Sequence, residues 1–296
     1  MNVRWVSVAV LSFAWIAGFQ SVQVYRDRAA SFEVRQFSRM SSSTEGLQPG
    51  SRKIEAEGKP LLAEWFAQGI KVRTHQLEAM VSEVANDRFQ MDSATLTGDA
   101  QLVLDGAKIE PNNPQAIGLT EVNSQTIQVQ RIGDGYRVTS PGPLDVKSVG
   151  QGTRVVRIDG QNREVPTRNE TYLKGSKAEF TLDSESAAGQ NPLRSGTIEG
   201  PVEVRLVRTD LNVQALQSTV KVTGNRLEMD LRASQPYLRL SGGLQIEGDD
   251  AAFNGVSNAD TATIVLNERQ AIVRVELSGS PIKTTLKRLP TRLGGR

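Results

Sequence analysis

The sequence predicts an all-β protein behind a single N-terminal transmembrane helix, and three observations carry that expectation. From Leu61 onward apolar and polar residues alternate with period two, the pattern of antiparallel strands with one face in water. Glycine reaches 26 and proline 12 against an aromatic share of 5%, a balance that suits many strands joined by turns. The stretch from Trp5 to Tyr25 carries no charge at all.

That first stretch, WVSVAVLSFAWIAGFQSVQVY, is bracketed by Arg4 and Arg26. As a helix it reaches roughly 30 Å, about one hydrocarbon core. Trp5 and Tyr25 sit at its ends, where amphipathic rings favour the interface. Residues 1–25 are therefore expected to be a retained membrane anchor. A cleaved signal peptide is the second reading, although Trp15 and Phe19 spoil a small-x-small cleavage site. Residues 26–60, with SSSTEGLQPG inside, read as a polar tether, within which Ser31 to Met40 could form a short helix.

Residues 61–289 form the body, in which strand-plus-turn spacing of about 8–12 residues suggests roughly twenty strands. Helix-period segments are scarce, the best being Pro60 to Ala67. Three stretches share one scheme, an alternating strand, a Ser/Thr-Gly step and another alternating strand: Phe89 to Gly106, Lys174 to Val207 and Val222 to Gly248. Gly98, Gly196 and Gly242 would permit a tight turn or bulge between rungs, and Gly175 and Gly224 lead the two later copies. Repetition of this kind without helices predicts stacked hairpins or an elongated jelly roll, with two stacked units as one form of it. Residues 107–168 are less regular: either an insertion or the middle of one continuous sheet, with a hairpin at Gly133-Asp134-Gly135. Residues 290–296 are a basic tail.

Composition removes most enzyme chemistry. A net charge of +2, from 35 basic and 33 acidic residues, does not supply the basic surplus that nucleic acid demands. With no cysteine there are no disulfides, thiolate metal sites or thiol nucleophiles. The single histidine, His75, excludes multi-histidine metal centres and reads as an ordinary surface or semi-buried side chain. Ser280 to Lys283 has Ser-x-x-Lys spacing, but Pro281 and KTTLK read as strand, not as the helix start that chemistry needs. Asp249-Asp250 is a turn with too few oxygens for calcium, and Asn169-Glu170-Thr171 matters only as a glycosylation acceptor. No cofactor is expected. Lys283, Lys287, Arg288, Arg292 and Arg296 could meet anionic headgroups.

The anchor, the tether and the repeated strand units together resemble the lipopolysaccharide-export proteins of the periplasm, the LptC and LptA (OstA-like) group. The nearest stretch is residues 219–279: a Gly-led strand, a Leu-x-Gly turn, a turn at Glu247 to Asp250, then the Ala259-Asp260 strand. Gln68 to Leu104 is a weaker second match, and 107–168 is unmatched. The resemblance implies a curved, partly open antiparallel β-jelly roll that holds acyl chains inside. It also implies edge-to-edge docking to another β-jelly-roll protein, and a bridge from an inner-membrane ABC transporter toward the outer membrane. Lipopolysaccharide or another lipid would be the cargo, the location would be the inner membrane with the β-domain in the periplasm, and there would be no enzymatic activity.

Candidate trough residues are the aliphatic faces of the later units: Phe180 and Leu182; Val202, Val204 and Leu206; Leu227 and Met229; Leu238 and Leu240. Leu244 and Ile246, Ile264 and Leu266, and Val273 and Val275 complete the set. Each buried methylene contributes about 0.8 kcal/mol, so such a wall needs no polar machinery to hold acyl chains. Two other classes stay open. One is a membrane-tethered structural scaffold or adhesin-like protein with a closed core. The other is a carboxylate-based glycan hydrolase, whose acids sequence alone does not nominate.

Overall fold

The fold is a computed structural model that describes residues 24–27, 32–65, 70–83, 89–105, 119–158, 161–183, 193–211, 217–249, 254–266, 272–280 and 282–286. These residues contain seventeen strands and no helix. A short strand, Val24–Asp27 (β1), precedes two sets of eight. The first set is Phe32–Arg35 (β2), Arg39–Ser43 (β3), Ser51–Trp65 (β4), Ile70–Glu83 (β5), Phe89–Asp105 (β6), Leu119–Ile132 (β7), Gly135–Ser140 (β8) and Leu144–Ile158 (β9). The second is Gln161–Gly175 (β10), Lys177–Asp183 (β11), Leu193–Asp210 (β12), Gln217–Asp230 (β13), Tyr237–Asp249 (β14), Asn254–Leu266 (β15), Ile272–Ser278 (β16) and Lys283–Leu286 (β17). All pair antiparallel in one sheet.

Strands β4 to β7 and β12 to β15 lose register at one common level, while β9 and β10 pair without a break. β4 opposes Gln76 with Glu57, then resumes only at Leu61 opposite Thr74. β6 breaks between Thr97 and Ala100, β12 between Glu199 and Val202, and β14 between Ser241 and Leu244. Gly58 and Pro60, Gly98, Gly200 and Pro201, and Gly242 and Gly243 occupy these breaks, where a proline costs no ladder hydrogen bond. The short strands change over at the same level. β3 meets the upper limb of β4 and β2 its lower limb; β8 and β9 divide β7 in the same way. β11 and β10 divide β12, and β16 and β17 divide β15.

A bulge bends its strand, so an aligned row of bulges creases the sheet. Burial fits that geometry. One apolar cluster takes Ile54 and Ala56 from the upper limb of β4 and Leu61 and Ala63 from the lower, together with Val34, Val72, Leu77, Leu96 and Ile127. A second takes Ile198 and Val202, and Leu240 and Leu244, from either side of the later breaks. Leu61 and Ile198 are 0% exposed. Among the described residues no helix and no second sheet lies against this face.

The two sets of eight are copies. Lys71-Val72-Arg73-Thr74-His75-Gln76-Leu77-Glu78 in β5 corresponds to Lys221-Val222-Thr223-Gly224-Asn225-Arg226-Leu227-Glu228 in β13. At the crease the Ser38 amide donates to the Glu57 carbonyl at 2.7 Å, and the Ser176 amide to the Glu199 carbonyl at 2.8 Å. The copies join along a full rung, β9 to β10 on the lower limb and β8 to β11 on the upper.

Several expectations change here. Residues 32–60, assigned by composition to a tether or a short helix, lie largely in β2, β3 and β4, and Ile54 and Ala56 are core. Their alternation was masked because alanine and glycine fill inward positions there. Pro60 to Trp65 is strand, not helix, since Leu61 and Ala63 face one way. Residues 119–158 and 161–168 are continuous sheet, not an insertion, and the Gly133-Asp134 turn does close a hairpin. Gly98 and Gly242 sit at breaks with φ of 84° and 89°. Gly196 does not: a Cβ there would meet the Phe180 ring at 2.5 Å, so it makes room for its neighbour, while Gly175 lies at the changeover from β10 to β11, where a Cβ would meet Ile198 Cγ2 at 2.2 Å. The expected anchor falls on residues 1–23, outside the described residues, while Val24 and Tyr25 belong to β1. No helix among the described residues is long and apolar enough to cross a membrane.

A Cβ on Gly98 would lie 2.9 Å from that of His75, on a backbone that L-residues rarely adopt. Gly98→Val is expected to cost about 2–4 kcal/mol in urea unfolding, strain and overlap together. Gly133→Ala, at φ 59° with nothing within 4 Å, should cost only about 1 kcal/mol.

Candidate functional site

Alternation about the crease puts one apolar set on the concave face, and its burial is graded. On the lower limb of β12, Val202 at the crease is 1% exposed, Val204 is half-buried, and Leu206 is 41% exposed. On the upper limb, Leu240 is buried and Leu238 half-buried, while Leu227 and Met229 are buried and Leu231 half-buried. On the edge strand β16, Leu277 is half-buried and Val275 is 56% exposed. On β12 as far as Leu206, and on β16, the wall thus gains exposure away from the break, whereas Gly248, Gly255 and Ser257 on the neighbouring strands stay buried.

The sequence candidates occupy this one face. Leu227 pairs with Ile198 and Leu240; Leu238 pairs with Met229 and Ile264; Ile264 pairs with Val275. On the other limb Val204 pairs with Val222, which pairs with Ile246, and Leu244 lies buried beside the crease. Phe180 and Leu182, on β11, are half-buried. Leu266 and Val273 lie in β15 and β16, with their side chains outside the description. Sequence reading missed Leu173, Val146 and Val220, which share the face, as does Leu277 beside Val275. Leu173 pairs with Val146 across the β9–β10 hairpin and with Val204 of β12.

Between the two apolar clusters the face carries hydroxyls. Ser124 and Ser140, 8% and 5% exposed, lie 2.8 Å apart, and the Ser124 hydroxyl is 3.0 Å from the Pro143 carbonyl oxygen. Further from the crease Thr120 and Ser148 are 3.0 Å apart, with Thr171 the next cross-strand neighbour. One hydroxyl of the Ser124–Ser140 pair donates to the other, and the remaining one has a backbone carbonyl in reach, Pro143 from Ser124 or Gly142 from Ser140.

The convex face is built from charged ladders. Tyr172 lies beneath Arg205, whose guanidinium carbon is 4.3 Å from the ring centre, and donates to Glu170 at 2.6 Å. Arg168 completes the group 2.8 Å from Glu170. The Tyr172 hydrogen bond, more than the neighbouring cations, holds the Glu170 carboxyl below its ordinary range, while the same bond raises the tyrosine. Such exposed pairs contribute little each. His75 is 40% exposed, packs on Gly98 and lies 3.9 Å from Asp99, and no group of three potential metal ligands occurs among the described residues. Asp249 accepts from the Asn254 amide at 2.9 Å across a hairpin end, an ordinary turn contact.

The class these features define is an all-β protein built on one large antiparallel sheet, with aliphatic residues gathered on one face. No family model, no curated protein and no solved structure matches this chain.

Leu61→Ala is expected to cost about 2–5 kcal/mol in chemical unfolding, as a fully buried truncation. Leu206→Ala, at the rim, should cost under about 1 kcal/mol. Because the folded Glu170 value is depressed, its contribution is present above the unfolded carboxylate range and is lost as pH falls through the folded value. Tyr172→Phe should move the Glu170 titration upward in carboxyl-resolved NMR; an unmoved midpoint would show that the hydroxyl does not hold it.

Proposed function

We propose that this protein is a non-enzymatic lipid-binding and bridging protein, similar to the lipopolysaccharide-export proteins of the periplasm. Its concave face holds acyl chains, and its partly open jelly roll docks to others through strand edges. The single observation that carries this reading is the outward gradient on the aliphatic wall, from Val202 at 1% to Leu206 at 41% exposed. A face built only to fill a core has no reason to leave its outer members wet, whereas a face for acyl chains needs them reachable.

Edge docking has support inside the chain. The first eight-strand copy ends in β8 and β9, and these pair with β11 and β10 of the second. β16 and β17 hold the same position at the C-terminal end and have no outer partner among the described strands. Strand addition there would continue the ladder and cover Val275. In this reading residues 1–23 anchor the chain in the inner membrane, with the sheet in the periplasm. An inner-membrane ABC transporter and another β-jelly-roll protein are the neighbours, and lipopolysaccharide or another lipid is the cargo.

A second reading, a membrane-tethered envelope scaffold with a closed core, is favoured by the first cluster, where Val34 and Leu61 are 0% exposed. Lipid extraction and mass spectrometry of the purified full chain separates the two. Stoichiometric co-purifying lipid is expected; protein that carries none, even after incubation with vesicles, would favour the scaffold.

A further inference from the structure

A cleft of about 250 Å³ lies beside the register breaks of the first copy. Its lining is polar, from Arg73 and His75 of β5, Asp99 and Gln101 of β6 and Asn123 of β7. Arg73, Gln101 and Asn123 are cross-strand neighbours in one row. Alternation turns that row away from Val72, Leu102 and Val122, which belong to or pack against the first apolar cluster.

The hydrogen-bonding capacity of the cleft is unequally spent. Gln101 donates to Glu121, and Asp99 accepts from the Gln125 amide at 3.0 Å. Arg73 and the Asn123 amide make no side-chain hydrogen bond or ion pair among the described residues, and Leu62 and Gln101, opposite Arg73, are neutral. His75 Nε2 stands 3.9 Å from Asp99 Oδ2, beyond hydrogen-bond reach but close enough for the carboxylate to favour a proton on that nitrogen. A guanidinium, an imidazole nitrogen and an amide are thus left with donors to spend in one cleft, a set that complements an oxoanion.

The duplication supplies a control. Sequence and register place Thr223, Asn225, Gly243, Gln245 and Asn258 of the second copy where Arg73, His75, Asp99, Gln101 and Asn123 stand in the first. The two neutral amides recur, and all three titratable residues are exchanged. Asp99 holds φ of 47°, in the left-handed region, where the second copy has Gly243 at 70°. A side chain there carries strain that glycine avoids. The fold needs only a glycine at this break, so the carboxylate beside His75 answers to something other than the fold.

We propose that this cleft binds a small, water-soluble oxoanion, a carboxylate or phosphate group held by paired hydrogen bonds from Arg73 and by the donors of His75 and Asn123. Asp99 is a positioning residue that acts through His75. The site lies on the polar face of the first copy and does not depend on the lipid reading.

His75 is the only histidine in the chain, so its imidazole C–H proton resonances report on the cleft alone. Full-length protein in non-ionic detergent micelles is titrated at fixed pH with sodium phosphate, and separately with sodium acetate. Sodium chloride at equal ionic strength is the control. A saturating shift with phosphate, acetate or both, absent with chloride, is the expected result, and which salt saturates assigns the group. Arg73→Gln, at an exposed position, should weaken binding about tenfold, as for a lost charge-assisted hydrogen bond. If phosphate and acetate move the signals no further than chloride does, only screening acts and the site is overturned. Wild-type affinity in the Arg73→Gln protein would overturn it equally. Asp99→Gly, which installs the second copy's residue, should shift the His75 signals of the free protein; unchanged signals would remove Asp99 from the site. Circular dichroism of each variant confirms that the sheet is retained.

Discussion

The fold depends on one constraint: a single sheet must hide its own apolar face. An isolated sheet with aliphatic residues on one side has to find a second layer, and usually helices or another sheet supply it. Here the breaks at Gly58–Pro60, Gly98, Gly200–Pro201 and Gly242–Gly243 fall at one level, so β4, β6, β12 and β14 bend together. The short strands conform by arriving in pairs, one for each limb. Without the aligned breaks the limbs would diverge, and neither cluster would be buried.

The same constraint explains why the inner face is graded. Two limbs hinged along a line are closest at the hinge and separate outward. Small residues suit the base, and Ala56, Ala100, Ala178, Ala259 and Ala262 are all buried. Larger residues further out have less opposite them, and Leu206 and Val275 show it. An apolar wall reachable from outside is thus a by-product of the fold that selection can either plug or use.

Much of the strand content was legible because alternation in Leu227–Met229–Leu231 and Leu238–Leu240 survives intact in the sequence. The bulge glycines Gly98 and Gly242 were legible too, since only a break in register explains a glycine inside such a strand. What sequence hid was anything that depends on a distant partner. β4 looked like linker because Ala56 and Gly58 are weak hydrophobic signals until Leu77 and the chain near Gln36 close over them. The half-burial of the rim residues was equally hidden: Leu206 and Val202 read alike in sequence, and only distance from the crease separates them. The eight-strand repeat was seen in fragments, because sequence similarity survives in the β5–β6 and β13–β14 stretches and fades where short strands carry four to seven residues.

The junction between the copies has a consequence for how such a molecule changes length over evolutionary time. β8 and β9 receive β11 and β10 with unbroken hydrogen bonding, and the crease runs straight through. A gene segment encoding eight strands can therefore be gained or lost at this boundary without redesigning either neighbour, as in other arrays whose stability is a sum of nearest-neighbour contacts. The length of the sheet then becomes a quantity set by copy number, adjustable in whole steps.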